Sequence, residues 1–190
     1  MNHYIDIHLL PDTELLPHVL LDSLFAKLHK ALVQLGPHSV GVSFPHHTNK
    51  YLGDVLRLHG SAADLASLQA FSWLGAMREM VQTSPIVAVP VTVQHRTVRR
   101  VQVQSSPERV KCRLVKRLMQ REGIGEEQAQ ARIEVPQASK LNDPFITLIS
   151  SSTKGQQFRL FIRHDPVQAQ AQTGHFNAYG LSSTATVPWF

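Results

Sequence analysis

The chain has 190 residues, 43% of them hydrophobic and 17% charged, with a formal net charge of +5 and a single cysteine, Cys112. That length suffices for one large domain or two small ones. No apolar run approaches the ~20 residues of a membrane span, and the opening Met1-Asn2-His3-Tyr4 lacks the basic-then-apolar pattern of a signal peptide. One cysteine excludes an internal disulfide and a cysteine-based zinc site, which points to a cytoplasmic, reducing setting.

The alternation around Tyr4, Asp6 and His8 predicts a strand over His3–Leu9. From Pro17 to Leu35, the residues Leu20, Leu21, Leu24, Phe25, Leu28, Leu32 and Leu35 share one helical stripe, and Gly36-Pro37 ends it. Short strands are expected over Val40–Phe44 and Asp54–His59. Ser61 caps a helix through Ala62–Ala70, a further helical stretch covers Trp73–Val81, and Pro85–Pro90 opens an extended segment. The order β-α-β-β-α-β is that of a ferredoxin-like (RRM-like) domain, a scaffold common among RNA-binding proteins.

Val91–Arg96 reads as a link between two halves, and Val98–Val103 as extended chain. Ser106-Pro107 supplies an N-cap and a first-turn proline for a helix over Pro107–Arg121, followed by a short helix over Glu126–Ile133. Phe145–Ser150, Gln157–His164 and Phe176–Leu181 read as strands. The expected fold is therefore α+β: a ferredoxin-like domain over 1–93 and an α+β domain over 94–190 that carries an arginine-rich helix at about 107–121.

Charge is concentrated in that second part. Between Gln94 and Arg121 lie Arg96, Arg99, Arg100, Arg109, Lys111, Arg113, Lys116, Arg117 and Arg121 against one acid, Glu108, which leaves the rest of the chain net negative. A solvated basic face would spread its charges, whereas concentration in one stretch points to a polyanion. At ~100° per residue, Arg109, Arg113, Lys116 and Arg117 fall within about a third of the helix circumference, with Val110, Leu114 and Leu118 on another side. Such a cationic ridge binds nucleic acid by releasing condensed counterions, whether the acid is DNA or RNA. Upstream, Arg100 and Gln102 share a face of the expected strand. They have the side chains that hold guanine and adenine edges by paired hydrogen bonds, although a solvent-facing edge could carry the same pair. For a metal, His46-His47 has no partner at ligand spacing, and no H-E-x-x-H or D-x-D run occurs, so no metal site and no cofactor are expected.

Several stretches together resemble one family, the endoribonuclease that processes precursor crRNA in type I-F CRISPR systems. They are His3-Tyr4-Ile5-Asp6-Ile7, Leu24-Phe25-Ala26-Lys27-Leu28-His29-Lys30-Ala31-Leu32 and Gly41-Val42-Ser43-Phe44-Pro45. Arg100-Val101-Gln102 with Pro107-Glu108-Arg109 follows, then Phe158-Arg159-Leu160-Phe161-Ile162-Arg163-His164, Tyr179-Gly180-Leu181-Ser182 and Val187-Pro188-Trp189-Phe190.

The resemblance implies a metal-independent, cytoplasmic enzyme that cuts on the 3′ side of a repeat stem-loop and leaves a 2′,3′-cyclic phosphate. It would stay with the crRNA hairpin and the other subunits of the type I-F surveillance complex, with no membrane involved. It implies that His29 removes the 2′-hydroxyl proton, Ser150 orients that hydroxyl and Tyr179 positions the histidine. Arg100 and Gln102 would read purines near the stem base, and Phe158 would stack on the terminal pair. Arg109, Arg113, Lys116 and Arg117 would meet phosphates or groove edges. Two departures stand out: Cys112 and Lys116 take arginine-like places, and Lys154 inserts one residue, leaving Ser150, Ser151 and Ser152 as alternatives. Imidazole suits a base role because its unperturbed pKa is ~6.5, but periodicity places His29 only on the flank of an apolar stripe. A non-catalytic RNA-hairpin-binding subunit, a DNA-binding regulator and a structural subunit of a larger particle are the rival readings.

Overall fold

The computed structural model describes residues 1–36, 39–102, 107–133, 141–150 and 155–190, the side chains of 107–109 excepted. The chain is α+β and forms two compact units, one of Met1–Val101 with Asp143–Phe190, the other of Gln102–Asn142.

In the first unit, β1 (His3–Leu9), β2 (Gly41–Ser43), β3 (Val55–Gly60) and β4 (Val81–Thr83) form a sheet in the order β2-β3-β1-β4, every neighbour antiparallel. Helix α1 (Pro17–Leu35) connects β1 to β2 and α2 (Ala62–Ala70) connects β3 to β4. The alternation in β1 puts Ile5, Ile7 and Leu9 into the core. The stripe of α1 buries Leu20, Leu21, Leu24, Phe25, Leu28, Ala31 and Leu32 against them. Gly36 ends that helix at φ +89°, a conformation open to glycine at little cost. Ser61 caps α2 by accepting the Asp64 N–H. On the other face of the sheet, Arg57 makes a two-pronged ion pair with Asp6 (2.6 and 2.8 Å) between the Tyr4 and Phe190 rings.

Three local expectations change. The stretch expected to be helical over Trp73–Val81 is a 3-10 turn over Gly75–Met80, because Val81 already belongs to β4. The segment after Pro85 is extended as expected and contributes β5 (Val87–Ala88), which pairs with β1. The supposed link Val91–Arg96 contains β6 (Gln94–Arg96), paired with a C-terminal strand over Val187–Trp189 that alternation did not reveal. Phe176–Leu181 is a turn rather than a strand, for reasons given below.

The strand β7 (Val98–Val101) pairs with β9 (Gln157–His164), and β9 with β8 (Phe145–Ile149). Ile146, Leu148, Leu160 and Ile162 of this sheet join the same core as α1. Asp22 of α1 ties the two together by accepting the Thr147 N–H at 2.9 Å. The C-terminal strand β10 (Val187–Trp189) completes the unit.

The second unit is a helical hairpin of α3 (Pro107–Glu122) and α4 (Glu126–Arg132). Ser106, expected to cap α3, lies outside the described residues. The packed side of α3 is rotated from the expected one: Val115 is 4% exposed, whereas Leu114 is 38% exposed. Lys111, Val115 and Met119 line the groove toward α4, whose Ala129 is buried. A long lysine stem covers apolar surface while its charge stays in water, so Lys111 serves on the packed side. Arg113, Lys116 and Arg117 are exposed.

No helix among the described residues is long and apolar enough to cross a membrane.

Candidate functional site

Ala26, His29, Lys30 and Val33 recur along α1 at the spacing of a second helical stripe, beside the buried one. They form one wall of a cavity of about 690 Å3. Arg100 enters from β7, and Leu148, Ile149 and Ser150 from the end of β8. Gln156, Gln157 and Phe158 come from the start of β9, and Tyr179 from the turn before β10. Of the residues singled out in the sequence, His29, Ser150, Tyr179, Arg100 and Phe158 thus converge here. Among the described residues that line the cavity there is no carboxylate.

The His29 ring is held on two sides. Its Nδ1 donates to the Ala178 carbonyl at 2.7 Å, and its face stacks on Tyr179 with centroids 4.2 Å apart. A carbonyl only accepts, so Nδ1 carries the proton of the neutral ring and Nε2 keeps a free lone pair. Tyr179 is backed in turn by the buried Phe25 ring, nearly parallel to it at 6.4 Å.

The turn that supplies Ala178 and Tyr179 explains why no strand forms at Phe176–Leu181. Asn177 Oδ1 accepts the N–H groups of Tyr179 and Leu181, which curls the backbone locally in place of a ladder. Gly180 sits at φ +70° and its carbonyl accepts the Val42 N–H at 2.9 Å. A Cβ on Gly180 would collide with the Val42 side chain. Gly180→Ala is therefore expected to lower stability by about 2 kcal/mol through left-handed strain and this clash. Urea denaturation checks it, and an unchanged midpoint would show that the turn relaxes freely.

Ser150 donates its N–H to Gln156 O and accepts from Gly155 N, closing the β8–β9 connection at the cavity edge. Ser151 and Ser152, its alternatives, lie outside the described residues, as does Lys154. Phe158 is partly buried against the core, with its remaining surface toward the cavity. β7 ends at Val101, so Gln102 lies beyond the ladder and is exposed; the same-face relation expected of Arg100 and Gln102 assumed a strand one residue longer. Gln102, Arg113, Lys116 and Arg117 belong to the second unit. Arg109 lies on α3, its side chain outside the description.

The basic stretch is less uniform than its composition implies. Arg96 donates to the backbone oxygens of Asp165 and His164 and covers the Trp189 ring, Arg99 pairs with Asp165 at 2.8 Å, and Arg121 pairs with Glu122 at 2.7 Å. Arg100 and Lys30 have no ion-pair partner among the described residues. Sequence reasoning did not single out Lys30, Gln156 or Gln157. The signal for Lys30 was its place in the stripe with Ala26 and Val33. The adjacent His46 and His47 are otherwise engaged: His46 pairs with Asp54, and His47 stacks on His164 at 3.7 Å. Among the described residues no three potential metal-ligating side chains cluster.

A cleft with an imidazole, two hydroxyls, two amides and two cations, and no carboxylate among its described lining residues, defines a class: an α+β protein whose site has the groups to hold an anion and to take a proton. The model of the family described as CRISPR-associated protein (Cas_Csy4) matches residues 4–190, and the chain belongs to that family. It is 47% identical over 192 residues to a "CRISPR-associated endonuclease Cas6/Csy4" of Pseudomonas aeruginosa (strain UCBPP-PA14). It is 42% identical over 190 residues to a protein of the same name from Escherichia coli (strain UTI89 / UPEC). Both alignments cover 100% of each chain.

Proposed function

We propose that this protein is a metal-independent, cytoplasmic endoribonuclease that cuts precursor crRNA on the 3′ side of its repeat stem-loop and keeps the hairpin within the type I-F surveillance complex. The observation that carries this reading is the convergence of His29, Ser150, Tyr179, Arg100 and Phe158 on one cavity, with His29 Nδ1 engaged by the Ala178 carbonyl. Two full-length relatives named as CRISPR-associated endonucleases support it.

RNA carries its own nucleophile. His29 Nε2 takes the 2′-hydroxyl proton, the 2′-oxygen bonds to phosphorus, and the P–O5′ bond breaks. The products are a 2′,3′-cyclic phosphate on the hairpin fragment and, once O5′ gains a proton, a 5′-hydroxyl on the other. Ser150 orients the 2′-hydroxyl, and Tyr179 with Ala178 fixes the imidazole plane. Arg100 and Gln102 read purines near the stem base. Phe158 stacks on the terminal pair, adding on the order of 1–3 kcal/mol. Arg109, Arg113, Lys116 and Arg117 on α3 bind phosphates or groove edges, with Lys116 acting as a point charge instead of a planar fork.

By function the division of labour falls near residue 94. The ferredoxin-like part, 1–93, carries the base, and 94–190 carries the RNA contacts, although 94–101 and 143–190 pack with the first part.

The test is incubation of a cognate repeat RNA with the protein in EDTA, alongside the same RNA with a 2′-deoxy substitution at the scissile nucleotide. Cleavage of the first to a cyclic phosphate and none of the second is expected. Tight binding without cutting would leave a hairpin-binding subunit in its place.

A further inference from the structure

We propose that Lys30 is a further catalytic residue of this site, its ammonium group holding the non-bridging oxygens of the scissile phosphate as charge builds in the transition state. The inference rests on the proposed ribonuclease reading and adds to it a residue to which the resemblance assigned no role.

Lys30 and His29 stand side by side on the cavity wall formed by α1, on the stripe completed by Ala26 and Val33. The same lining holds Ser150 and Arg100. Several cations of the first unit are committed elsewhere: Arg57 to Asp6, Arg96 to backbone carbonyls and Trp189, Arg99 to Asp165, Arg163 to Asp143; of the cations without an ion pair among the described residues, Lys30 and Arg100 are the two that line this cavity. Lys30 has no such partner among the described residues, and no carboxylate among the described lining residues competes for it. An uncommitted ammonium one residue from the base, in an acid-free cleft, has a single kind of partner to meet there, an anion.

The reaction supplies that anion. When the 2′-oxygen attacks, electron density moves onto the two non-bridging oxygens before the P–O5′ bond breaks, and a fixed cation stabilises this state more than the ground state. No bond to Lys30 forms, and no proton needs to leave it. The base function stays with His29 Nε2.

The experiment compares wild type, Lys30→Met, Lys30→Arg and His29→Ala on a cognate repeat hairpin in EDTA. It measures single-turnover cleavage at saturating protein, hairpin Kd and thermal unfolding. Lys30→Met keeps the apolar stem and removes the charge, and Lys30 is exposed, so folding is expected to be unchanged. Its cleavage rate should fall about 10- to 100-fold, below the effect of a fully enclosed donor. Its Kd should stay within about threefold, since many phosphate contacts share the affinity, and Lys30→Arg should restore most of the rate. A wild-type rate for Lys30→Met overturns the inference, as does an equal loss with Lys30→Arg accompanied by a lower unfolding temperature, which marks a structural role. If wild type cuts and His29→Ala does not, such a result removes Lys30 alone. If wild type itself does not cut, the ribonuclease reading has failed first.

Discussion

His29→Ala should cut repeat RNA at least about a thousandfold more slowly than wild type while binding the hairpin within about threefold, the upper part of the range for loss of a general base. The size of the effect follows from how the ring is held. Its Nδ1 hydrogen bond to Ala178 and its stack on Tyr179 fix the ring in the cavity wall and leave Nε2 as the nitrogen without a partner. Alanine removes the base without touching the cations or Phe158, so the loss belongs to the rate constant and not to affinity. Single-turnover cleavage and filter-binding titration at matched salt separate the two. A rate within tenfold of wild type would remove the imidazole from the mechanism.

Acid should destabilise the folded chain well above the range where carboxylates titrate. Burial, with the nearby Arg57 charge, depresses His59 to about 3, and burial beside His47 and Arg96 depresses His164 to about 2. Both rings are therefore neutral in the folded state at pH 5, whereas in the unfolded chain they protonate below ~6.5. The unfolded state then binds more protons, so stability is complete above pH 6.5 and is lost as pH falls toward the folded-state values. Between pH 7 and pH 5 the two histidines together withdraw about 4 kcal/mol, at 1.36 kcal/mol per unit of pKa difference. His47, lowered mainly by burial, adds in the same direction. Asp22, raised by its desolvation, works against it. Urea denaturation at pH 7 and pH 5 measures the loss. His164→Gln, which keeps an acceptor for the Phe44 N–H, should reduce the pH dependence by about half. A denaturation midpoint that does not move between the two pH values would show that these rings are solvated.

The buried faces of β1, α1 and α2 were legible because burial leaves a period in the residue types. Ile5, Ile7 and Leu9 alternate, and Leu24, Phe25, Leu28 and Leu32 recur at helical spacing. Elements whose partners lie far along the chain were not legible. The strand at Val187–Trp189 contains Pro188 and is three residues long, and it exists because β6 lies beside it. The turn at Asn177–Gly180 resembles a strand by hydrophobicity, and only its contacts with Val42 and Leu181 show otherwise. On α3 the wheel located the exposed cations but misplaced the packed side by one residue, since a helix with a polar surround turns toward whatever covers it, here α4.

Residue chemistry, the order of helices and strands from β1 to β4 and the concentration of positive charge were therefore properties of the sequence, because each depends on neighbours within a few positions. Which of eleven histidines could act as a base was not such a property. Periodicity left His29 on a helix flank, and the family resemblance alone selected it. The tertiary structure buries His59, partly buries His164 and stacks it on His47, and leaves His29 with a free Nε2 beside residues 30, 100, 150 and 179. That convergence depends on the β7–β9 register and on the Gly180–Val42 hydrogen bond, pairings between segments tens of residues apart or more that no local pattern encodes.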